Sequence, residues 1–280
     1  MDFGQGVLQA LFDWLGRDRS GSPLVECGRI TGDGPVYHLL LEHVHEQHRG
    51  ISLLEAHTRA FLRRGDGSLI EQLSGDKRRK LRRAEQRLAK VGAVGYAEAQ
   101  NLAELETWLT DFLSLEASGW KGHAGTALSC RERDRQFFVE VVRAAFQQRR
   151  LMALRLTVAG RPVAQLCNFL VNEGSFAFKV AFDQSFARYS PGALLELENL
   201  RQVEARPGLH WMDSCTDAGD TLIKQLWSDR RIMQTLLIET GRAPGPLVLA
   251  CLPLWRWLRR SVRTVLGLRN PASAGGRLQT

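Results

Sequence analysis

The spacing of apolar residues changes along the middle of this chain, and the change predicts where helices give way to strands. Apolar positions recur every three or four residues after Ser74, after Asn101 and from about Arg131, which predicts three amphipathic helices. Ser74 and Asn101 are residue types that cap helix starts, because their side chains accept hydrogen bonds from free amides. Beyond the third helix the period falls to two and predicts three strands: Leu151–Val158, Val163–Val171 and Ser175–Phe182.

The turns between these strands are too short for a crossover, so neighbouring strands are expected to be antiparallel. Four further elements are predicted: a helix over Pro191–Glu204, a strand over Leu209–Cys215, a short helix over Asp220–Trp227 and a strand over Ile232–Ile238. Strands and helices do not alternate regularly in this order. The sequence therefore predicts an α+β fold with a mostly antiparallel sheet flanked by helices.

The beginning of the chain carries weaker patterns. A short strand is predicted over Val25–Ile30, a helix over Val36–Gln47 and a second helix over Leu53–Arg64. We predict three parts in the chain as a whole: an N-terminal lobe in residues 1–73, a main domain in residues 74–240 and a basic amphipathic tail in residues 241–280.

The formal net charge of +8 comes from two short segments. Residues 74–90 hold eight Lys or Arg against two acids, and residues 241–280 hold seven Arg and no acid. The basic balance is therefore local, and it is a weak argument for nucleic acid as a partner. With 44% hydrophobic and 24% charged residues, the rest of the composition is that of an ordinary globular chain.

The cysteines and the apolar runs indicate the compartment. The five cysteines lie far apart without a C-x-x-C pair, which predicts buried reduced thiols in a cytosolic protein. The first residues lack the basic and apolar regions of a secretory signal, and no apolar run reaches the roughly 18 residues of a membrane span. His38, Glu42 and His45 share a helix face that could hold a metal, but a solvated face is the ordinary role, and no metal is predicted.

The tail predicts an amphipathic helix that begins at Pro253. One side carries Arg256, Arg259, Arg260 and Arg263, and the other carries Leu254, Leu258, Val262, Val265 and Leu266. Such a helix with Trp near its boundary suits the surface of an anionic membrane. A terminal helix that packs its leucines on the protein is the alternative, and both interpretations stay open.

The strand Ser175–Asp183 is followed, after a short loop, by a helix start at Ser190–Leu195 that contains one glycine, Gly192. The first amides of a helix have no partner within the helix, so a helix start attracts anions. Pro191 has no N–H to contribute. This segment predicts a site for a phosphate at the helix start with an extended arm along the strand.

Together with the preceding strand pair Leu154–Ala164, this strand–loop–helix resembles the GNAT acetyltransferases. Flanking segments are similar to the CelD-type acyltransferases of bacterial cellulose and polysaccharide synthesis, which are relatives of the FemAB peptidyltransferases. The segments are Lys77–Arg83, Gly119–Gly122 with Gly125–Ala127, Ala181–Asp183 leading to Tyr189–Gly192, and Asp213 through Lys224 to Trp227. The resemblance covers roughly residues 74–240 and implies that residues 1–73 are a partial or degenerate GNAT-like lobe.

The resemblance implies an N- or O-acyltransferase that takes acyl-CoA, in the first place acetyl-CoA, without a metal. The acceptor would be an amine or hydroxyl of a sugar or of a cell-envelope or polysaccharide precursor. Backbone groups of the strand would bind the pantetheine arm, and helix-start amides would face the pyrophosphate. The cofactor-binding candidates are Phe178, Lys179, Val180, Ser190, Gly192, Ala193 and Leu194.

Side chains near the expected cleft give candidates for the remaining roles. Asp183, Asp213 and His210 are the candidate general bases, although a strand-end carboxylate that caps a turn, or a core histidine, is the ordinary role of each. Three further residues are candidates for contact with the acceptor: Trp120, Lys224 and Trp227. A buried core position is the ordinary alternative for Trp120.

Two other functions stay open. In the first, the donor is aminoacyl-tRNA, as in the FemAB relatives, and the helix with Lys77–Arg83 contacts RNA phosphates. In the second, the chain is a non-catalytic scaffold that the tail holds at a membrane during polysaccharide synthesis. Nucleic acid other than tRNA is not expected as a partner. The expected location is the cytoplasm, with peripheral contact to the inner face of the membrane through residues 253–266.

Overall fold

The structure is a computed structural model that describes residues 3–18, 21–65, 67–216, 223 and 226–254, without the side chains of Trp120 and Lys121. Among these, the residues up to Arg59 and from Arg230 onward form one compact unit, and the residues between them form a second. The predicted domain boundaries after residues 73 and 240 remain predictions.

The first unit packs two helices on a small sheet. Its elements are α1 (Phe3–Arg17), β1 (Leu24–Thr31), α2 (Pro35–Glu46), most of β2 (Ile51–Arg63) and most of β8 (Asp229–Glu239). β1 and β8 pair in antiparallel fashion. Phe12, Leu40, Val44, Leu236 and Ile238 form the buried core between helices and sheet. The predicted strand Val25–Ile30 and helix Val36–Gln47 are confirmed as β1 and α2.

The predicted helix over Leu53–Arg64 is wrong, because these residues form β2. Their spacing suited both periods, and strand pairing decided between them. At its end, Phe61 pairs with Asp213 and Arg63 with Trp211 in antiparallel register within the second unit. Near this end of β2, three consecutive residues are buried: Ala60, Phe61 and Leu62.

The second unit contains the remaining elements. Its helices are α3 (Gly75–Ala89), α4 (Leu102–Ser118), α5 (Trp120–His123), α6 (Glu132–Gln147) and α7 (Pro191–Ala205), with 3-10 turns at Leu128–Cys130 and Gln184–Tyr189. Its strands are β3 (Val94–Glu98), β4 (Leu151–Val158), β5 (Arg161–Val171), β6 (Gly174–Phe182), β7 (Trp211–Asp213) and the end of β2. The predicted caps are confirmed: Ser74 accepts from the Lys77 amide and Asn101 from the Glu104 amide.

The strands of the second unit follow the order β2-β7-β6-β5-β4-β3, and only the β6–β7 pair in that series is parallel. One face of this sheet packs on α3 and α7, with buried residues such as Leu88, Leu154 and Leu194. The other packs on α4 and α6, around Trp108 and Phe138. The predicted α+β fold, with a mostly antiparallel sheet flanked by helices, is confirmed.

The expectations for the cysteines, for membrane spans and for the tail helix can be compared with the structure only in part. Cys167 is buried, but Cys130, Cys215 and Cys251 are exposed, so the expectation of buried thiols is wrong for these three. None of the helices in the described ranges has the length and apolar character to cross a bilayer. Residues 245–254 are helical, whereas the arginine-rich residues 255–266 of the predicted tail helix lie outside the described residues.

His43 is a buried titratable group in the core of the first unit. It is 1% exposed, and its ring stacks on Phe12 with centroids 5.1 Å apart. Burial, aided by the nearby Arg49 and opposed by Glu46 and Asp13, lowers the pKa of His43 below its usual value. The folded protein therefore favours neutral His43.

Because the unfolded chain binds this proton more readily, the free energy of unfolding should fall as the pH drops below about 6.5. We predict that His43→Leu makes the free energy of unfolding less dependent on pH between about pH 7 and pH 5. Urea denaturation across this range measures the effect. His45→Leu, an exposed histidine on the same helix, is the matched control. An equal change in both variants would contradict the assignment to His43.

Candidate active site

The central feature of the second unit is a gap between β6 and β7. The two strands pair in parallel over three positions only: Gly174 with Trp211, Ser175 with Met212 and Phe176 with Asp213. β6 then continues for six residues, whereas β7 ends at Asp213. Past Phe176, none of the described residues pairs as a strand with the edge of β6 that faces β7, so the backbone polar groups of this edge are available to a ligand.

Gly174 makes the close approach at the base of this gap possible. A Cβ on Gly174 would lie 2.0 Å from the indole of Trp211, so a larger residue would push the two strands apart. Trp211 also packs edge-on against Phe176, with ring centroids 5.3 Å apart. The pairing is therefore fixed at its base and open beyond it.

A β-bulge lies in β6 beside the gap. Cys167 of β5 pairs with Lys179, but the next residue, Asn168, pairs with Ala177, so Phe178 is an extra residue. A bulge leaves its extra residue outside the ladder and bends the strand. Phe178 and Lys179 consequently turn toward α4 and α6, where the Phe178 ring stacks on Phe138 with centroids 5.9 Å apart. Ala177 stays on the side of α7.

The start of α7 is the second wall of the gap. Ser190 precedes it in the left-handed conformation, with φ of 54°, and its side chain makes no capping bond. The Ser190 carbonyl accepts from the amides of Ala193 (3.0 Å) and Leu194 (3.1 Å). These two amides therefore follow the helical bonding pattern, and the expectation that they also face a phosphate stays a prediction. The Gly192 amide is the third of the expected first-turn donors.

The cleft between these walls has a volume of about 220 Å³. Four consecutive residues of β6, Ala177 to Val180, line one side, and Gly192 and Glu196 of α7 line another. The other described residues of the lining are Leu166, Asn168, Ser214, Thr216 and Ile223. Of the cofactor-binding candidates, Phe178, Lys179, Val180 and Gly192 thus meet at one cleft, whereas Ser190, Ala193 and Leu194 are not part of its lining. Their role in binding a donor stays a prediction.

Buried polar side chains form the floor beside Glu196. This carboxylate is 4% exposed, and its Oε1 accepts from Trp227 Nε1 and from Asn199 Nδ2, both at 2.8 Å. Asn199 Oδ1 in turn accepts from Asn168 Nδ2 at 2.9 Å. Two helix residues, a strand residue and a tryptophan are therefore joined in one network, which holds the Glu196 carboxylate against the cleft.

An ion pair joins the bulged strand to α4. Lys179 Nζ lies 2.6 Å from Glu116 Oε1, and the Glu116 side chain is 1% exposed. The other oxygen, Oε2, accepts from the Leu128 amide at 2.8 Å. Glu116 thus connects β6 with the end of the glycine-containing segment that runs from Gly119 to Ala127. The predicted role of Lys179 as a phosphate partner stays a prediction, although its cation already has a buried carboxylate.

Asp183, a candidate base, caps the turn after β6. Its carboxylate accepts from the Ser185 amide at 2.9 Å and lies 2.5 Å from the Arg161 guanidinium. Burial opposes ionisation here, but the hydrogen bonds from Ser185 and the charge of Arg161 outweigh it and hold the pKa of Asp183 below its usual value. A carboxylate with a lowered pKa is a weaker base, so this environment favours the capping role.

The other two candidate bases lie at β7. Asp213 is fully buried at the end of the strand, and its Oδ1 accepts from the Cys215 amide at 3.0 Å. His210 is exposed just before β7, and its backbone bonds to Glu173 and Arg64. Neither side chain is part of the cleft lining. Catalytic roles for Asp183, Asp213 and His210 stay predictions.

The candidates for acceptor binding are spread out. The backbone of Trp120 lies in α5, and its side chain is outside the described residues, as is the whole of Lys224. Trp227 is 1% exposed and donates to Glu196, so it is part of the core. An acceptor could reach Trp227 only if the packing around it moved.

Glu116 and Glu196 were not singled out from the sequence, although a spacing signal existed for both. Glu116 follows Leu105, Leu109 and Phe112 on one face of α4, which is the buried face. Glu196 lies four residues after Gly192 and hence on the same face of α7. A carboxylate on an otherwise apolar face needs a partner when it is buried.

The arginine-rich helix α3 presents its charge to solvent. Its apolar stripe of Leu81, Ala84 and Leu88 is buried in the core. On the opposite side lies an exposed row of cations at intervals of about one turn: Arg79, Arg83, Arg87 and Lys90, with Lys80 beside them. We call these five residues the α3 cation row. Arg79 also pairs with Asp76 on the same helix.

Within the described residues, no group of three or more His, Cys, Asp or Glu side chains is arranged to hold a metal ion. The His38, Glu42 and His45 face therefore gains no support as a metal site.

Comparison with known proteins identifies the second unit. The family described as "Acetyltransferase (GNAT) domain" matches residues 75–221, about half of the chain. None of the curated protein sequences matches this chain.

Three solved structures are similar in fold. A Bacteroides thetaiotaomicron protein of unknown function is 14% identical, with a TM-score of 0.59 over 84% of this chain and 75% of that one. FemX is 11% identical, with a TM-score of 0.58 over 87% and 78%. The C-terminal domain of a putative lysylphosphatidylglycerol synthetase from Agrobacterium fabrum is 14% identical, with a TM-score of 0.53 over 89% and 76%. At these identities the likeness concerns the fold alone.

The ion pair between Lys179 and Glu116 leads to a stability prediction. Lys179→Met leaves a buried carboxylate without its cation, so we expect a loss of roughly 2–3 kcal/mol, reduced from the fully buried case because Lys179 is 21% exposed. Glu116→Gln should cost less, because the amide oxygen can still accept from Leu128 and Lys179 can reach water.

Urea denaturation measures both variants, and Arg143→Met serves as the control because it breaks the exposed pair with Glu106. If Lys179→Met destabilised the protein no more than Arg143→Met, the buried pair would not have the role assigned to it.

Proposed function

We propose that this chain, which belongs to the family of acetyltransferase (GNAT) domains, transfers an acyl group from acyl-CoA, in the first place acetyl-CoA, to an amine or hydroxyl. The observation that carries the proposal is the cleft that opens where β6 and β7 stop pairing. An extended chain laid beside β6 would take the place of the missing strand partner and bond to its free backbone groups.

The size of the cleft supports a narrow ligand. Its volume of about 220 Å³ is below the range of roughly 300–1,000 Å³ that is usual for pockets that enclose a compact small molecule. An extended pantetheine arm needs only a slot, while the nucleotide part of the donor would stay outside. We expect the Gly192 amide at the start of α7 to bind the phosphate end, where the helix dipole favours negative charge.

In the proposed reaction, the acceptor nitrogen or oxygen forms a bond to the thioester carbon and the carbon–sulfur bond breaks. Coenzyme A leaves as its thiolate, and the acceptor loses a proton. Among the described residues that line the cleft, Glu196 is the one carboxylate, so it is the side chain best placed to receive that proton. In this proposal, backbone amides of β6 that face the cleft polarise the thioester carbonyl.

The proposal for the acceptor class rests on sequence resemblance. We propose an acceptor among sugars or cell-envelope and polysaccharide precursors, because the flanking segments are similar to the CelD-type acyltransferases. We also propose a location in the cytoplasm at the inner face of the membrane. The non-catalytic scaffold remains the outcome to adopt if no donor binds.

A second candidate function is transfer from aminoacyl-tRNA. The observation that favours it is the α3 cation row, whose guanidinium groups suit phosphate oxygens. The apolar side of α3 is already buried in the protein, so the exposed row needs no apolar partner. In this version, the cleft would take the aminoacyl end of the RNA.

For the first function we predict that acetyl-CoA binds and that Ala177→Phe weakens its binding by about tenfold or more. Ala177 lines the cleft on the α7 side, so a phenyl ring there would occupy the slot. Isothermal titration with acetyl-CoA measures the change. Ala97→Phe, an exposed alanine of strand β3, is the matched control. Equal binding by Ala177→Phe and the unaltered protein would contradict the placement of the donor.

For the second function we predict salt-dependent tRNA binding that is reduced in a variant with Arg79, Arg83 and Arg87 changed to Gln. Loss of three phosphate contacts should lower the slope of log K against log salt by about two to three. Filter binding at several salt concentrations measures the slope. The matched control changes three α6 and pre-α6 arginines, Arg131, Arg133 and Arg143, to Gln. An unchanged slope in the α3 variant would remove the α3 cation row from RNA binding.

A further inference from the structure

Helix α1 exposes a row of large apolar side chains. Phe3, Val7, Leu11 and Trp14 are 87%, 51%, 45% and 61% exposed. Their spacing of four, four and three residues places them on one side of the helix, along about 16 Å of its length. We call these four residues the α1 apolar row.

The α1 apolar row is additional to the face that holds the helix in place. Phe12 is buried in the first unit, and Leu8 and Leu15 pack against the same core. Those three residues already anchor α1, and none of the four residues of the row belongs to that buried core. A continuous row of large apolar residues on a surface helix indicates a site of contact with a membrane or with another protein.

A second exposed apolar surface lies in the same unit. Leu247 and Leu254, in the helical residues 245–254, are 66% and 60% exposed. The turn before this segment is bonded to the residues that follow α1, since Arg242 Nη1 donates to the Gly21 carbonyl at 3.2 Å and the Thr240 amide to the Pro23 carbonyl at 3.0 Å. The two apolar surfaces therefore belong to one connected part of the first unit.

The charge of this part of the chain selects the partner. Residues 241–280 carry seven arginines and no acid. A second copy of the chain would add another seven arginines and no acid from the same residues, so it would not balance this charge. An anionic lipid surface offers partners for both kinds of residue: phosphate groups for the arginines and acyl chains for the α1 apolar row.

We propose that the α1 apolar row is a membrane-contacting surface that inserts into the interface of an anionic bilayer. α1 then lies in the plane of the membrane, with Trp14 at the boundary between headgroups and acyl chains. This surface is independent of the cleft, so it holds whether or not the cleft binds acyl-CoA.

The test is sedimentation of the full chain with vesicles of equal parts phosphatidylglycerol and phosphatidylcholine, and with vesicles of phosphatidylcholine alone. We expect the unaltered protein to bind the anionic vesicles. When Phe3, Val7 and Trp14 are changed to Gln, we expect the partition constant to fall by at least about tenfold. Glutamine keeps a high helix propensity, so α1 should stay folded. The matched control changes three exposed apolar residues of the second unit, Val91, Leu102 and Phe137, to Gln.

A second measurement does not depend on the triple variant. Brominated lipids should quench the fluorescence of the unaltered protein, and part of that quenching should disappear in Trp14→Phe. The proposal is overturned if the unaltered protein does not bind anionic vesicles, or if the α1 and control variants lose binding equally. It is also overturned if the α1 variant loses a dimer that forms without lipid, because the row would then contact a second copy.

Discussion

The second unit depends on one constraint: β6 and β7 pair in parallel for only three residues and then separate. Gly174 lets the indole of Trp211 lie against the strand at the closed end, and the bulge at Phe178 bends β6 along the open side. If the two strands paired further, β6 would bond to protein along its whole length and no slot would form. The helix start of α7 matters because it faces that opening.

Buried side chains form a network on each face of the sheet beside this opening. On the side of α4, Glu116 binds Lys179 and the Leu128 amide. On the side of α7, Glu196 binds Trp227 and Asn199, and Asn199 binds Asn168. Each network ties β5 or β6 to a helix, so the bulged region stays in place without a strand partner. Removing one member would leave a charge or amide buried without its partner.

Much of the second unit was predictable because its elements have regular local patterns. β4, β5, β6 and the caps at Ser74 and Asn101 follow from alternation and from side-chain chemistry, and both act within a few residues. β2 was predicted wrongly as a helix because its apolar spacing suits both periods, and its partner β7 is about 150 residues away in sequence. The roles of Glu116 and Glu196 also depend on distant residues. The Leu194 amide is a different case. It is the fourth residue of α7, so its bond to the Ser190 carbonyl follows from the helical bonding pattern alone.

The proposed donor site consists largely of backbone groups, which explains why its residues carry so little sequence signal. An unpaired strand edge and a helix start can bind an extended, phosphate-bearing ligand with many different side chains in place. Structures that are 11–14% identical to this chain share its fold, as expected if geometry is more constrained than residue identity. Any selectivity for an acceptor must then come from the few side chains that reach the cleft, such as Glu196 and Asn168. Because these two residues are buried and joined through Asn199, a change in one would alter the position of the other, so chemistry and stability cannot vary independently here.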